Sequence, residues 1–578
     1  MLAQISTRTE DMIKNRFRPL LLFFLVWICT ACYAQRSNNQ FTILTDSIGL
    51  QHQFKVLEGM FGGGACVLDF NKDGFEDVYI TGGTVDDQLL RNNGDGTLTN
   101  VFEGSGMELT RRFVTQGVSG ADVNRDGNID LFVTTITARD SVRTIPRAKN
   151  LLFLGQDDGT FRDATDEYGL TDFYSFSTGG SFGDFNADGW PDIFVGNYFL
   201  EYEGKLNVIS DATIVGANQT ARDYLLLNDG GKRFNNVYDD YGLDHRGFGF
   251  GGLFSDYDND GDQDLIVNND FGYKAVPSLV YENRYGRKQF RDRSEALELD
   301  LRINAMGSAV GDYNGDGWLD YYMTNIRFNR FMVNQGKGKP FKNMTKEMNM
   351  NFVSISWGAN WADYDQDGDL DLFVSNGDLN PNCVPMANYY YENIGDNFRE
   401  IGKENGAGDY GIGRGSVLFD LENDGDMDLL VVCQEPVLPN FPVTSVTHVL
   451  RNDVANGSWL KVALRGTEAE SQGIGSRVTI FSKGRRMVRE IDGGGSSHIS
   501  QNSTIAHFGL GAAITVDSVL VTWIGGKEQL LTDVPANQLL VIEEAASTQD
   551  AGWGAMSRVV LMVLLPLAFV VGGVVYWR

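Results

Sequence analysis

The chain has 578 residues, a formal charge of −29, 68 glycines and 12% aromatic residues. That length exceeds one ordinary core and calls for several domains or a repeat architecture. The acidity excludes nucleic acid as a partner, which needs a basic face, while 42% hydrophobic residues exclude a solvating, disordered chain.

Residues 1–34 have the three parts of a secretory signal. Lys14, Arg16 and Arg18 form a basic region, residues 19–31 are apolar, and small residues lead to a cut after Ala34. The alternative is a lipoprotein cut before Cys32. It needs an aliphatic residue three positions upstream, where Cys29 stands. Either route exports the chain.

Residues 35–453 repeat one unit seven times. A small-residue strand such as Gly179-Gly-Ser-Phe-Gly183 leads into an acidic loop, and an apolar strand such as Ile193-Phe-Val195 follows. A third strand ends in Asn, as in Tyr224-Leu-Leu-Leu-Asn228, and a Gly turn with a Phe strand closes the unit. The acidic loops start 53, 62, 72, 56, 51 and 57 residues apart. Four short strands per unit at this spacing predict an all-β fold, a seven-bladed β-propeller. The last unit stops at Asn452, short of its Phe strand, while residues 41–50 match such a strand. The N-terminal strand is therefore expected to complete the seventh blade and close the ring, leaving no exposed sheet edge. Two longer connections, 198–222 and 434–447, are candidate binding loops.

Each acidic loop places oxygen side chains at its first, third, fifth and ninth positions. These are Asp69, Asn71, Asp73 and Asp77; Asp122, Asn124, Asp126 and Asp130; Asp184, Asn186, Asp188 and Asp192. The series continues with Asp256, Asp258, Asp260 and Asp264; Asp312, Asn314, Asp316 and Asp320. It ends with Asp363, Asp365, Asp367 and Asp371, then Asp420, Glu422, Asp424 and Asp428. Gly at the sixth position permits a sharp turn, and the seventh offers a backbone carbonyl, so Phe75, Trp190 and Trp318 are tolerated there. Such a loop curls around Ca²⁺, a hard cation that takes six to eight oxygens in loose geometry. The pattern predicts about seven calcium sites. An EF-hand would place Glu at the twelfth position, where Ile80, Val133, Val195, Val267, Met323, Val374 and Val431 stand instead. The loops are EF-like turns set on β-hairpins. With their seventh positions they hold 27 carboxylates, close to the whole excess charge, and seven divalent ions would offset about half of it.

Residues 456–545 lack the acidic loop and alternate like strands, predicting a small separate all-β domain. Residues 546–557 read as a linker and 558–578 as an apolar transmembrane helix anchoring the exported chain. Beyond the signal, Cys66, Cys383 and Cys433 are an odd set that reads as buried small hydrophobes, with a Cys66–Cys433 bond the unsupported alternative. No nucleophile elbow, phosphate loop or zinc spacing occurs, and His507 reads as a structural residue in a strand turn. Trp357 and Trp361 could form a sugar-stacking platform, but their place at a blade entrance favours strand packing.

The repeat resembles the FG-GAP/VCBS unit of integrin-α-like propellers. The stretch carrying Gly473-Ile-Gly-Ser-Arg-Val478, His507-Phe-Gly-Leu-Gly511 and Val521-Thr-Trp-Ile-Gly-Gly526 resembles the ASPIC/UnbV domain of cartilage acidic protein-like proteins. That family usually has Trp-Pro-Ser-Gly at the last of these, so this turn departs from its pattern. The resemblance implies a propeller with calcium on one face and, more loosely, extracellular adhesion or recognition of a glycan or protein. No enzyme is expected. The alternatives are a propeller-based carbohydrate-active enzyme and a structural subunit of a cell-envelope complex.

Overall fold

The computed structural model describes residues 40–56, 62–139, 148–199, 220–379, 384–453 and 457–546. Seven antiparallel sheets follow one another along the chain, each carrying four strands of one repeat. The fourth blade is typical, with strands Phe248–Ser255, Asp264–Asp270, Leu279–Arg284 and Gln289–Asp292 paired in that order. The third and sixth blades gain a short fifth strand from the preceding connection. First strands of neighbouring blades lie against one another, so the small-residue strands form the inner wall of the ring.

Closure follows the sequence reading. Phe41–Leu44 pairs antiparallel with His448–Asn452, matching Phe41 to Asn452 and Leu44 to Val449. The seventh blade is thus built from both ends of the repeat region. Phe41 is buried between the rings of Tyr364 and Tyr390, at 5.8 and 5.6 Å.

Alternation explains the blade cores. Successive residues of a strand face opposite sides, and here both sides meet a neighbouring blade. Leu265, Ile266 and Val267 are all buried, the first and third in one cluster and the second in the next. The residues at the twelfth loop position, including Val267 and Val374, are fully buried within these strands.

The C-terminal β domain has two sheets. Ser458–Arg465 runs parallel to Gln538–Glu543 and antiparallel to Ala506–Gly511, and a four-stranded sheet contains Arg477–Ser482 and Thr515–Thr522 at its centre. Its core is continuous with the second and third blades, because Ile474 and Val478 share a cluster with Val123, Phe182 and Ile193. The two parts share this hydrophobic cluster.

One segment joins them further. Between the strands Arg485–Glu490 and Ala506–Gly511, residues 493–503 enter the axis of the ring. Backbone N–H groups of Phe182, Ser308, Val118 and Val67 donate to the carbonyls of Gly493, Ser496, Ile499 and Gln501, at 2.8, 3.0, 3.2 and 3.2 Å. The Gln501 side chain exchanges two hydrogen bonds with the Gly120 backbone. The Leu418 N–H donates to Asn502 at 3.0 Å, and His498 packs beside Phe250 and Trp357. Gly64, Gly117 and Gly179 stand where this plug passes, and a Cβ on any of them would meet Ile499 at 2.4–2.9 Å. The small residues of the inner strands are small because the axis is filled.

The predicted fold class needs one correction. Among the described residues no helix is long and apolar enough to cross a membrane. The helices present are single turns, such as Asp46–Ile48 and Gly402–Asn405, since the connections are short and polar. Segment 558–578, to which a transmembrane helix was assigned, lies outside the described residues, as does the signal segment 1–34. The fold is all-β, propeller plus β domain.

Candidate metal centres and the face they leave free

Each acidic loop folds by the same local rules. Its fourth residue adopts left-handed backbone, as Lys72, Arg125, Ala187, Asn259, Gln366 and Asn423 show with φ of 49–60°. The fifth loop has Gly315 at that place. The sixth residue is left-handed glycine throughout, from Gly74 to Gly425. Two left-handed residues on either side of the fifth aim successive N–H groups inward. The sixth N–H donates to the first Asp in every loop, for example Gly127 to Asp122 at 2.9 Å and Gly425 to Asp420 at 2.9 Å. The fifth N–H does so in six, as in Asp188 to Asp184 at 3.0 Å.

The ninth Asp anchors the loop to its blade. One of its oxygens accepts the N–H that ends the third strand, as with Asn334 to Asp320 at 2.8 Å and Asn452 to Asp428 at 2.7 Å. The strand-ending Asn then crosses to the preceding loop. Asn334 donates both to Leu319 of its own loop, at 3.2 Å, and to Tyr257 of the fourth loop, at 2.8 Å. Such an asparagine ties adjacent loops together in six of the seven blades, while the second blade has Gly155 at this place.

The loops therefore bring their predicted oxygens together. Asp256, Asp258 and Asp260 converge so that one oxygen of each lies within 4.8 Å of the others, and Asp363, Asp365 and Asp367 do the same. In the four loops with Asn at the third position, its amide reaches the fifth Asp instead, as Asn71 does to Asp73 at 2.7 Å. The seventh loop departs in part, because Glu422 pairs with Arg451 at 3.7 Å.

Burial makes this charge costly. Desolvation, opposed by the N–H of Asn92, pushes the Asp77 carboxyl up to about 8. Desolvation raises Asp130 to about 8, Asp184 to about 7 and Asp258 to about 7, with neighbouring carboxylates adding to each. Asp192, Asp264, Asp320, Asp371 and Asp428 are held well above the ordinary carboxylate range, again first by burial. Oxygens Oδ2 of Asp192 and Oδ2 of Asp320 are buried without a hydrogen-bond partner. A donor set of carboxylate, amide and carbonyl oxygens with spare acceptor capacity fits a hard divalent cation.

The β domain covers these loops with its own cations. Lys461, nearly fully buried, places Nζ 2.9 Å from Asp420 and 3.1 Å from Asn423. Arg477 reaches Asp256 and donates to Asn259 in the fourth loop. Arg486 and Arg485 donate to the Gly315 and Asp367 carbonyls. From the other side, Arg125 of the second loop donates to the Thr467 and Ala469 carbonyls, at 2.8 and 3.0 Å. His507 accepts the structural role expected of it, bonding the Gly425 carbonyl at 2.9 Å, and burial lowers its pKa to about 3.

The opposite face carries the connections between second and third strands and those between blades. A groove of about 950 Å³ opens there, lined by Asp46, Gln51, Lys55, Asp86, Arg139 and Thr444 among others. Of the five histidines, His52 stands at this groove but is spent on Thr447 at 2.7 Å and Thr81 at 3.1 Å. Trp357 and Trp361 are buried strand residues, and the Trp357 indole donates to Gly377 at 2.7 Å. Cys66 and Cys433 are free and buried. Cys383 and the connection 200–219 lie outside the described residues.

Sequence reasoning missed two features of the site. The left-handed fourth position was hidden because Asn, Lys, Arg, Gln and Ala occupy it, and only Gly315 signalled it. The cationic cap was hidden because Lys461 and Arg477 alternate with apolar residues as in any half-exposed strand, and Arg485 and Arg486 follow a Gly turn like an ordinary surface pair.

Family models match this geometry in both parts. The FG-GAP-like repeat model matches residues 69–133, 256–323 and 312–374, and the ASPIC and UnbV model matches residues 466–549. The chain carries FG-GAP-like repeats and an ASPIC/UnbV domain. Cartilage acidic protein 1 of Xenopus tropicalis is 25% identical over 508 residues, 86% of this chain and 75% of that protein. Cartilage acidic protein 1 of Homo sapiens is 26% identical over 554 residues, covering 90% and 77%. Among solved structures, an Agrocybe aegerita lectin that recognises non-reducing terminal N-acetylglucosamine aligns with a TM-score of 0.37 and 16% identity, over 68% of this chain and 94% of the lectin. The V. cholerae biofilm matrix protein Bap1 aligns at 0.34 and 10%, over 80% and 99%. Likeness this distant says nothing of ligand or reaction.

Proposed function

We propose that the chain is an exported, calcium-loaded propeller that recognises a glycan on the face away from its acidic loops. The observation that carries this reading is the division of the molecule. The β domain covers the acidic loops and plugs the axis, and the polar groove between the seventh, first and second blades is an open concave surface on the other face.

Calcium belongs to the covered face. The first, third, fifth and ninth positions of each loop would hold it, from Asp69, Asn71, Asp73 and Asp77 to Asp420, Glu422, Asp424 and Asp428. Bound there, it supplies positive charge that keeps buried carboxylates ionised. The loops are structural, and the groove does the binding. Gln51, Gln53, Gln88 and Thr84 offer amide and hydroxyl groups at the groove, and Lys55, Arg139, Asp46 and Asp86 add charge of both signs. Such a lining suits the hydroxyls of a sugar chain.

The test is a glycan array probed with the full-length protein in calcium. We expect binding without product release, lost in the Gln53→Ala, Lys55→Ala double variant. Binding that survives that variant removes the groove, and silence across the array removes the glycan in favour of a protein partner.

A further inference from the structure

The seventh blade holds a second kind of cluster on the far face. Cys433 ends its second strand, His448 begins its third, and Asp409 lies in the connection from the sixth blade. One ligand-type atom of each lies within 4.8 Å of the other two. None of these residues belongs to an acidic loop, and sulfur and imidazole are ligands calcium does not seek.

The imidazole is oriented as a metal ligand would be. Its Nδ1–H donates to the Val446 carbonyl at 3.0 Å, which fixes the ring and leaves Nε2 facing Asp409. Nε2 is buried and has no hydrogen-bond partner, although the Asp409 carboxylate stands 3.4 Å away. The His448 side chain is only 4% exposed. Asp409 is itself held in place, accepting hydrogen bonds from the Gly411 N–H at 3.0 Å and from the Asn388 amide.

Gly411 packs closely against these groups. Its backbone needs no left-handed freedom, yet a Cβ there would meet Asp409 Oδ2 at 3.1 Å, Cys433 Sγ at 3.3 Å and Ser445 Oγ at 3.6 Å. A carboxylate, a thiol and a hydroxyl thus close around the Gly411 backbone, and a side chain there would press on the cluster. A simple imidazolium–carboxylate pair would account for His448 and Asp409. It would not account for the thiol, whose Sγ lies 3.9 Å from Nδ1 of the same ring.

We propose that Asp409, Cys433 and His448 form a zinc-class site, binding one borderline-soft divalent cation with a fourth position left for Ser445 or water. Neighbouring ligands around tetrahedral zinc lie roughly 3.4 Å apart, as follows from bond lengths of about 2.0–2.3 Å. The Nε2–Oδ1 separation of 3.4 Å already meets this. Binding displaces the thiol proton, so affinity rises with pH. The two ligands Cys433 and His448 flank the connection 434–447, whose Thr444 and Val446 line the far-face groove. The ion would clip that loop at its base, next to the proposed binding surface, without touching the acidic belt.

Cobalt titration of the full-length protein, freed of transition metals and held in saturating calcium, tests the site. One equivalent of Co²⁺ should raise a thiolate-to-cobalt charge-transfer band, and one equivalent of zinc should remove it. The band should vanish in Cys433→Ala and in His448→Ala and persist in Cys66→Ala. No thiolate band in the wild-type protein, or an unchanged band in Cys433→Ala, overturns the proposal. Should these variants not fold, X-ray absorption at the zinc edge of the loaded wild-type protein decides: a mixed sulfur and nitrogen/oxygen shell is expected, and an all-oxygen shell overturns it. None of these readouts depends on a glycan ligand.

Discussion

The two faces of the propeller use the same scaffold in opposite ways. On one, seven nearly identical loops carry 27 carboxylates, are tied to each other in six blades by strand-ending asparagines, and lie under a β domain with buried Lys461 and half-buried Arg477. On the other, the connections differ in length and chemistry and leave a polar groove open. Uniformity marks the face that builds the ring, and variety marks the face available to a partner. Repetition in a sequence is thus a guide to structure more than to recognition.

The largest effect should come from stripping the cation. Each loop held at about a hundred times its dissociation constant contributes roughly 2.7 kcal/mol, so several loops together exceed the stability of a typical domain. Chelation at neutral pH should therefore lower the melting temperature by tens of degrees or unfold the protein. The effect should depend on pH. The folded-state pKa values of Asp77 and Asp130, about 8, and of Asp184, about 7, lie above the unfolded value near 4. Their contribution is fully present below that unfolded value and is lost as pH rises through 7 to 8. Calcium-free protein should melt higher at pH 5 than at pH 8. A calorimetric series in chelator showing the reverse order would break the link between the acidic face and metal.

The plug should come next. Ile499 is buried against the inner strands of the first three blades. Ile499→Ala should cost about 2–5 kcal/mol, read as a shift in denaturant midpoint. A cost under about 0.5 kcal/mol would mean that the ring does not depend on its axle. Asn334→Ala removes two donors from the belt between the fourth and fifth loops and should cost about 2–3 kcal/mol. The smallest effect belongs to the far face. Lys55→Ala breaks an exposed pair with Glu435 at 3.3 Å and should change stability by less than about 1 kcal/mol.

Much of the covered face was legible in the sequence. The sixth-position glycines, the ninth-position aspartates and the apolar twelfth positions gave seven hairpin loops, and Phe41–Leu44 was visible as the missing strand of the seventh blade. These features repeat locally, so each copy supports the others. The plug did not repeat. Gly493 to Ser503 reads as a polar loop, and nothing in its composition says that seven inner strands surround it. The strand-ending Asn was visible as a pattern, but its bond to the preceding loop depends on blade order in space. The cluster of Asp409, Cys433 and His448 escaped for the same reason, since it joins two blades at positions 24 and 15 residues apart.

Hydrogen exchange of the full-length protein, compared in calcium and in chelator, tests the division of the two faces most directly. The account predicts that removing calcium raises exchange in the acidic loops, in residues 493–503 and in the β-domain strands over them, while the groove residues 45–55 and 84–88 change least. Equal loss on both faces, or loss centred on the groove, would contradict it.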